Sequence, residues 1–184
     1  MRVIAGRFGG RRLQAPGGRG TRPTADRVRE ALFSALGSVD GLTVLDLFAG
    51  SGALGIEALS RGAARAVFVE RSPGALPVLR ANLDALELGS ERAIVRRAHA
   101  LRALRSAHES RDTYDLVFLD PPYRDAARLA RQLSDALPAV LAPAARVIVE
   151  SDRRVPLELD LPLADERHYG DTLIRIHRYE SSAR

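Results

Sequence analysis

The sequence contains no cysteine, no tryptophan and no lysine, and holds a single methionine. Without cysteine there are no disulfides, no thiolate metal sites and no thiol nucleophile. Four histidines are present (His99, His108, His168 and His177), none at zinc-ligand spacing, so no metal is expected. No apolar run approaches the ~18 residues of a membrane span. The opening residues also lack a signal-peptide core, and a cytoplasmic setting is expected. Acidic residues are absent before Asp26, whereas Arg2, Arg7, Arg11, Arg12, Arg19 and Arg22 all fall there. Clustered arginine suits phosphate and base recognition, because the guanidinium pairs bidentately and stacks. The net charge of +5 is therefore unevenly spread, and Arg7, Arg11, Arg12, Arg19 and Arg22 are candidate RNA contacts.

What the chain does have is one stretch around which the rest is arranged. Val44, Leu45 and Leu47 form a short apolar run suited to a buried strand, followed by Gly50-Ser51-Gly52 and a helical spacing over residues 53–59. A strand, a glycine turn and a helix N-terminus make a nucleotide-type cofactor site. Gly50-x-Gly52-x-x-Gly55, with Glu70 about 20 residues on, also matches the dinucleotide fingerprint. Two features favour S-adenosylmethionine (AdoMet) over a nicotinamide. Asp46, at the strand end, suits a cationic ligand better than a pyrophosphate, and Asp120-Pro121-Pro122-Tyr123 has no role in hydride transfer. Gly50 and Gly52 are both read as leaving room for the ligand. Gly52→Val is accordingly expected to abolish cofactor binding in a domain that stays folded.

At 184 residues the chain is most simply one domain, with residues 1–37 as a basic extension and 42–184 as the catalytic core. Residues 2–5 and 11–15 read as a β-hairpin, and 16–20 as a loop. Thr24 reads as the N-cap of a helix over about residues 25–36, which Gly37 ends. Beyond residue 42, strands are expected near 64–69, 93–97, 114–119 and 146–150. Helices are expected near 75–86, 101–107 and 126–137, with Pro73 and Pro77 delaying or kinking the first of these. Two short strands near Leu161 and residues 173–177 complete the sheet edge. Alternating βα units imply an α/β Rossmann-like fold, a mostly parallel sheet that places ligands at its strand ends. Asp46, Glu70 and Asp120 all fall at such ends.

The Asp-Pro-Pro-Tyr tetrad suits the acceptor. Its prolines fix a turn in which the Asp120 carboxylate and Pro121 carbonyl can accept hydrogen bonds from an exocyclic amine, aiming the nitrogen lone pair. Tyr123 offers a stacking face worth roughly 1–3 kcal/mol per base.

Together, residues 20–33, the block 44–63, Asp120–Tyr123 and Tyr169-Gly170-Asp171-Thr172 resemble the bacterial 16S ribosomal RNA guanine-N2 methyltransferase family over nearly the whole chain. That resemblance implies a seven-stranded sheet with helices on both faces, AdoMet as methyl donor, and 16S RNA of the assembling small subunit as partner. It assigns Asp46 and Phe48, Ala49, Gly50, Ser51 and Gly52 to the methionine part of AdoMet and Glu70 to its ribose. Gly55 and Arg71 join the cofactor set, and Thr24 and Arg27 close over the carboxylate end. Where relatives often carry Asp or Asn against the adenine, this chain has His99, which can serve or lie on the surface. A monomer is expected. The tetrad also marks adenine-N6 methyltransferases of DNA or RNA, so that reading stays open. So does a non-catalytic RNA-binding assembly factor.

Overall fold

The computed structural model describes residues 1–15, 26–121 and 126–180. Its sheet is built from β1 (Thr43–Asp46), β2 (Arg65–Glu70), β3 (Ala93–Arg97), β4 (Tyr114–Leu119), β5 (Leu141–Asp152), β6 (Leu163–Tyr169) and β7 (Thr172–Arg178). Five helices accompany it: α1 (Asp26–Leu36), α2 (Ala53–Ser60), α3 (Ala75–Ala85), α4 (Ala100–Glu109) and α5 (Ala126–Ala136), the last running into a 3-10 turn, Leu137–Val140. The seven strands lie in the order β3-β2-β1-β4-β5-β7-β6. β1 to β5 are mutually parallel, and β7 is antiparallel to both β5 and β6. The chain order reverses between β1 and β4, and in open α/β sheets ligands bind at this kind of crevice.

The central strands are apolar on both sides because both sides are covered. Val44, Phe68, Phe118 and Ile148 pack with Leu32 and Phe33 of α1, Ile56 of α2 and Leu79 of α3. Leu45, Val67, Val117 and Val149 face the other way, onto Leu104 of α4 and Leu133 of α5. Among the described residues no helix is long and apolar enough to cross a membrane.

Three local expectations change. The N-terminal hairpin forms as a short antiparallel pairing about the Arg2–Arg12 bridge, without extended strands of its own. The backbone N–H groups of Ile4 and Ala5 donate instead to the Glu57 carboxylate of α2, at 2.7 and 3.1 Å. Gly6 (φ +82°) meanwhile presses so tightly on the α2 end that a Cβ would lie 1.9 Å from the Ser60 carbonyl oxygen. The segment is thus paired along itself only near its ends, with Val3 N–H on the Arg11 carbonyl, Gly10 N–H on the Val3 carbonyl and Leu13 N–H on the Met1 carbonyl, and is fastened to α2 between them. Pro77 neither delays nor kinks α3: it is the third helical residue, where no intrahelical amide bond is lost. β5 begins at Leu141, well before residue 146, because its register against β4 jumps between Tyr114/Leu141 and Leu116/Arg146. Ala144, at φ +60°, lies inside that irregularity, which breaks the alternation a sequence reading depends on. Gly37 ends α1 as expected, at φ +68° with its N–H on the Phe33 carbonyl.

Candidate active site

The glycine turn is a set of three glycines with different duties. Gly50 has φ +54°, and a Cβ there would meet nothing nearer than the Phe48 carbonyl oxygen at 4.0 Å, so its open side faces the crevice. Gly52, at φ +84°, faces inward, and a Cβ would lie 2.5 Å from Leu79 Cδ1. At Gly55 a Cβ would lie 2.3 Å from Phe68 Cε1, so this glycine lets α2 pack onto β2. The expectation that Gly52→Val empties the cofactor site of a folded domain is therefore corrected, because that substitution strikes the core first. Gly55→Ala should lower the melting temperature by roughly 3–10 °C, the effect of about 1–3 kcal/mol of overpacking in a chain of this size. Gly50→Ala meets no clash but places a side chain at φ +54°, so it should cost about 1–2 kcal/mol of backbone strain and lose ligand affinity as well. Ligand affinity lost equally in folded Gly55→Ala and Gly50→Ala would contradict this division.

Asp46 ends β1, is 3% exposed, and accepts the Gly55 N–H at 3.1 Å. Gly52 precedes α2 without a capping side chain, so Asp46 serves one of the free amides at that helix start from across the turn. Burial pushes the Asp46 carboxyl up to about 7, the Gly55 bond opposes this, and the Glu70 charge adds to it. Glu70 accepts the Gly50 N–H at 2.8 Å and the Ser72 N–H at 2.6 Å, joining the glycine turn to the turn after β2. Phe48 is partly buried, while Ala49 and Ser51 are buried. Open space beside Gly50, next to a buried carboxyl held near neutrality, suits a ligand that brings a positive charge. AdoMet, with its sulfonium and ammonium groups, fits that donor set.

Asp120 immediately follows β4, and Pro121 is buried beside it. Burial raises the Asp120 carboxyl well above the usual carboxylate range, and the nearby Glu150 and Asp46 charges push the same way. Pro122 and Tyr123, the rest of the tetrad, lie outside the described residues, as do Thr24, Arg19 and Arg22. Arg27 is exposed on α1. Arg71 and His99 are both exposed and meet each other, Arg71 Nη1 at 3.5 Å from His99 Nδ1. That brings the post-β2 and post-β3 turns together beside Glu70.

The described arginines of the N-terminal segment are not equivalent. Arg11 Nη2 donates to the Ala85 carbonyl at the end of α3, at 2.7 Å, which is a structural bond. The Arg7 guanidinium lies 5.4 Å from the Phe8 ring centre, and Arg12 is exposed.

Sequence reasoning passed over three residues that support the site. Glu57, wholly buried, accepts Arg61 Nε at 2.7 Å as well as the two N-terminal amides. Asn82 Nδ2 donates to the Ser51 carbonyl at 2.9 Å and to the Gln14 carbonyl at 3.0 Å, bracing the glycine turn from α3. Its sequence signal was a polar residue in the Leu79/Leu83 stripe. Glu150, 6% exposed near the end of β5, is the third.

Comparison with known proteins gives one consistent picture. A family model described as conserved hypothetical protein 95 matches residues 1–178. A Bacillus subtilis protein provisionally named an rRNA methyltransferase is 41% identical over 182 residues, covering 97% of this chain and 98% of that protein. Ribosomal RNA small subunit methyltransferase D of Haemophilus influenzae is 39% identical over 160 residues, covering 85% of this chain and 81% of the relative. Among solved structures, a hypothetical protein of Thermus thermophilus superposes with a TM-score of 0.82 at 30% identity, covering 97% of this chain and 99% of that one.

Proposed function

The chain belongs to the family described as conserved hypothetical protein 95, and from that membership we propose that it transfers a methyl group from AdoMet to the exocyclic N2 amine of a guanine in 16S ribosomal RNA. It is an AdoMet-dependent rRNA methyltransferase. One observation carries the reading: the Asp46–Gly50 turn and the Asp120-Pro121 turn face each other at the reversal point of one sheet, β1 beside β4. The first turn has the properties a cationic cofactor needs, and the second presents acceptors for an amine. In this reading the chain is one catalytic domain with residues 1–37 as its RNA-facing extension. It works as a cytoplasmic monomer on the assembling small subunit.

When bound, AdoMet supplies an electrophilic methyl on a sulfonium. Asp46 balances positive charge beside Gly50, and Glu70 holds the turn that shapes the pocket. The target base must leave its stack, at a cost of a few kcal/mol. Asp120 and the Pro121 carbonyl then accept the two amine hydrogens and direct the nitrogen lone pair. With AdoMet bound, the aimed nitrogen would take the methyl group, and one of the two hydrogens held by Asp120 and the Pro121 carbonyl would then pass to water as a proton.

The test is labelled methyl transfer to unmodified small-subunit particles, naked 16S RNA and DNA, with nucleoside analysis. N2-methylguanosine in the particle RNA is expected. N6-methyladenosine would overturn the base assignment and leave the cofactor assignment intact.

The arginine turn has its own test. Arg7→Ser and Arg12→Ser should each flatten the log–log salt dependence of RNA binding by about 0.7–0.9, with AdoMet affinity unchanged. Arg11→Ser should in addition lower the melting temperature, because it frees the Ala85 carbonyl. An unchanged slope in the first two variants would make those arginines bystanders.

A further inference from the structure

Strand alternation places the functional carboxyls on one side of the sheet. Phe68, Val44, Phe118 and Ile148 all pack into the cluster that includes α1 and α2. Counting two residues on from each in β2, β1, β4 and β5 gives Glu70, Asp46, Asp120 and Glu150 on that same face. The register pairs Leu119 of β4 with Val149 of β5, so the next step sets Glu150 level with Asp120. On its other flank Glu150 pairs with Ile174 of β7, an apolar residue of the same cluster. The Glu150 charge is felt at Asp120 more strongly than that of Asp46, in keeping with this placement. Glu150 thus stands one strand beyond the amine-holding turn, away from the cofactor side.

What differs between guanine and adenine at that distance is a single atom. Both offer an exocyclic amine with two hydrogens, which Asp120 and the Pro121 carbonyl would accept. The neighbouring ring nitrogen N1 carries a hydrogen in guanine and a lone pair in adenine. A carboxyl group placed one step past the amine accepts an N1–H and meets a bare N1 with its own lone pairs. We infer that Glu150 is the specificity-determining residue of the acceptor site, accepting the guanine N1–H beside the amine held by Asp120. This rests on the guanine reading above and names the group that enforces it. Flipped bases are read along this edge, and a buried polar group left without its partner penalises the wrong base.

The experiment uses small-subunit particles assembled on ligated 16S RNA that carries either the mapped target guanine or 2-aminopurine in its place. 2-Aminopurine keeps the N2 amine and has a bare N1. The wild-type enzyme should methylate guanine at least ~100-fold faster than 2-aminopurine in single-turnover transfer. Glu150→Gln keeps the shape and adds an amide that can donate to a bare N1. It should slow transfer to guanine, speed transfer to 2-aminopurine and reduce the ratio to roughly tenfold or less, with AdoMet affinity unchanged. A ratio in Glu150→Gln equal to that of wild type overturns the assignment, because a merely structural role slows both bases alike. A wild-type ratio near one overturns it without any variant, so misfolding of Glu150→Gln leaves the test standing. Wild-type production of N6-methyladenosine would instead remove the guanine reading on which this rests.

Discussion

Asp120→Ala should lose about 10²–10³-fold in single-turnover methyl transfer while binding AdoMet as wild type does. That is the scale on which removing one preorganised hydrogen-bonding group acts at a reacting centre. The loss should fall on transfer because, in the proposed reading, Asp120 serves the acceptor and the Gly50 turn the cofactor. Asp120→Asn is the more informative partner. Burial and the Glu150 and Asp46 charges hold the Asp120 carboxyl well above the usual carboxylate range. Ionised or protonated, the carboxyl offers an oxygen as acceptor, and so does an asparagine amide. Asp120→Asn should therefore stay within roughly tenfold of wild type. If Asp120 removed the amine proton as an obligatory base, Asp120→Asn would fail as badly as Asp120→Ala. Full activity in Asp120→Ala would remove the residue from the mechanism.

Asp46→Asn should give a more stable protein that binds AdoMet at least ~10-fold more weakly. The asparagine oxygen can still accept the Gly55 N–H, so the start of α2 keeps its partner. What disappears is the cost of ionising a carboxyl buried to 3% exposure. The folded carboxyl titrates near 7 against an ordinary 3.8, so the native state binds more protons than the unfolded state between those values. The contribution of Asp46 to wild-type stability therefore falls as pH rises from about 4 to 7 and then levels off. About three pH units at ~1.4 kcal/mol each put a ceiling of roughly 4 kcal/mol on the gain of Asp46→Asn above pH 7. The gain should vanish below about pH 4. Denaturant melts at pH 4 and pH 8 check both ends, and equal stabilisation at the two would contradict an origin in the buried charge. For the same reason, AdoMet binding to the wild-type chain near pH 7 should release part of a proton. Calorimetry in buffers of different ionisation enthalpy reads that release, and Asp46→Asn should abolish it.

Several features were fully set by local sequence. Thr43–Asp46, Ala93–Arg97 and Tyr114–Leu119 read directly because each is a short buried run bounded by breakers. Gly37 reads as a helix end for the same kind of reason, and it adopts positive φ. Asp46, Glu70 and Asp120 were legible as strand-end carboxyls, since a parallel sheet places the ends of its strands on one side. Less was legible where contacts distant in sequence compete with local ones. The expected hairpin is cut short because Ile4 and Ala5 give their amides to Glu57, a residue over fifty positions away. Arg11 has the look of a phosphate contact in the sequence, and only the fold shows that it also braces the Ala85 carbonyl.

The sequence by itself determined the fold class, the cofactor class and the order of the two functional turns, because each rests on a local period or a fixed backbone requirement. Only the tertiary structure decided which glycine is open and which faces the core, since Gly50 and Gly52 differ in what lies opposite them and share a positive φ. It also decided that Glu150 stands beside Asp120. Those residues are thirty positions apart in the chain, and a register between two parallel strands brings them level. Register is fixed by the packing of both sheet faces at once, which no single stretch of sequence contains.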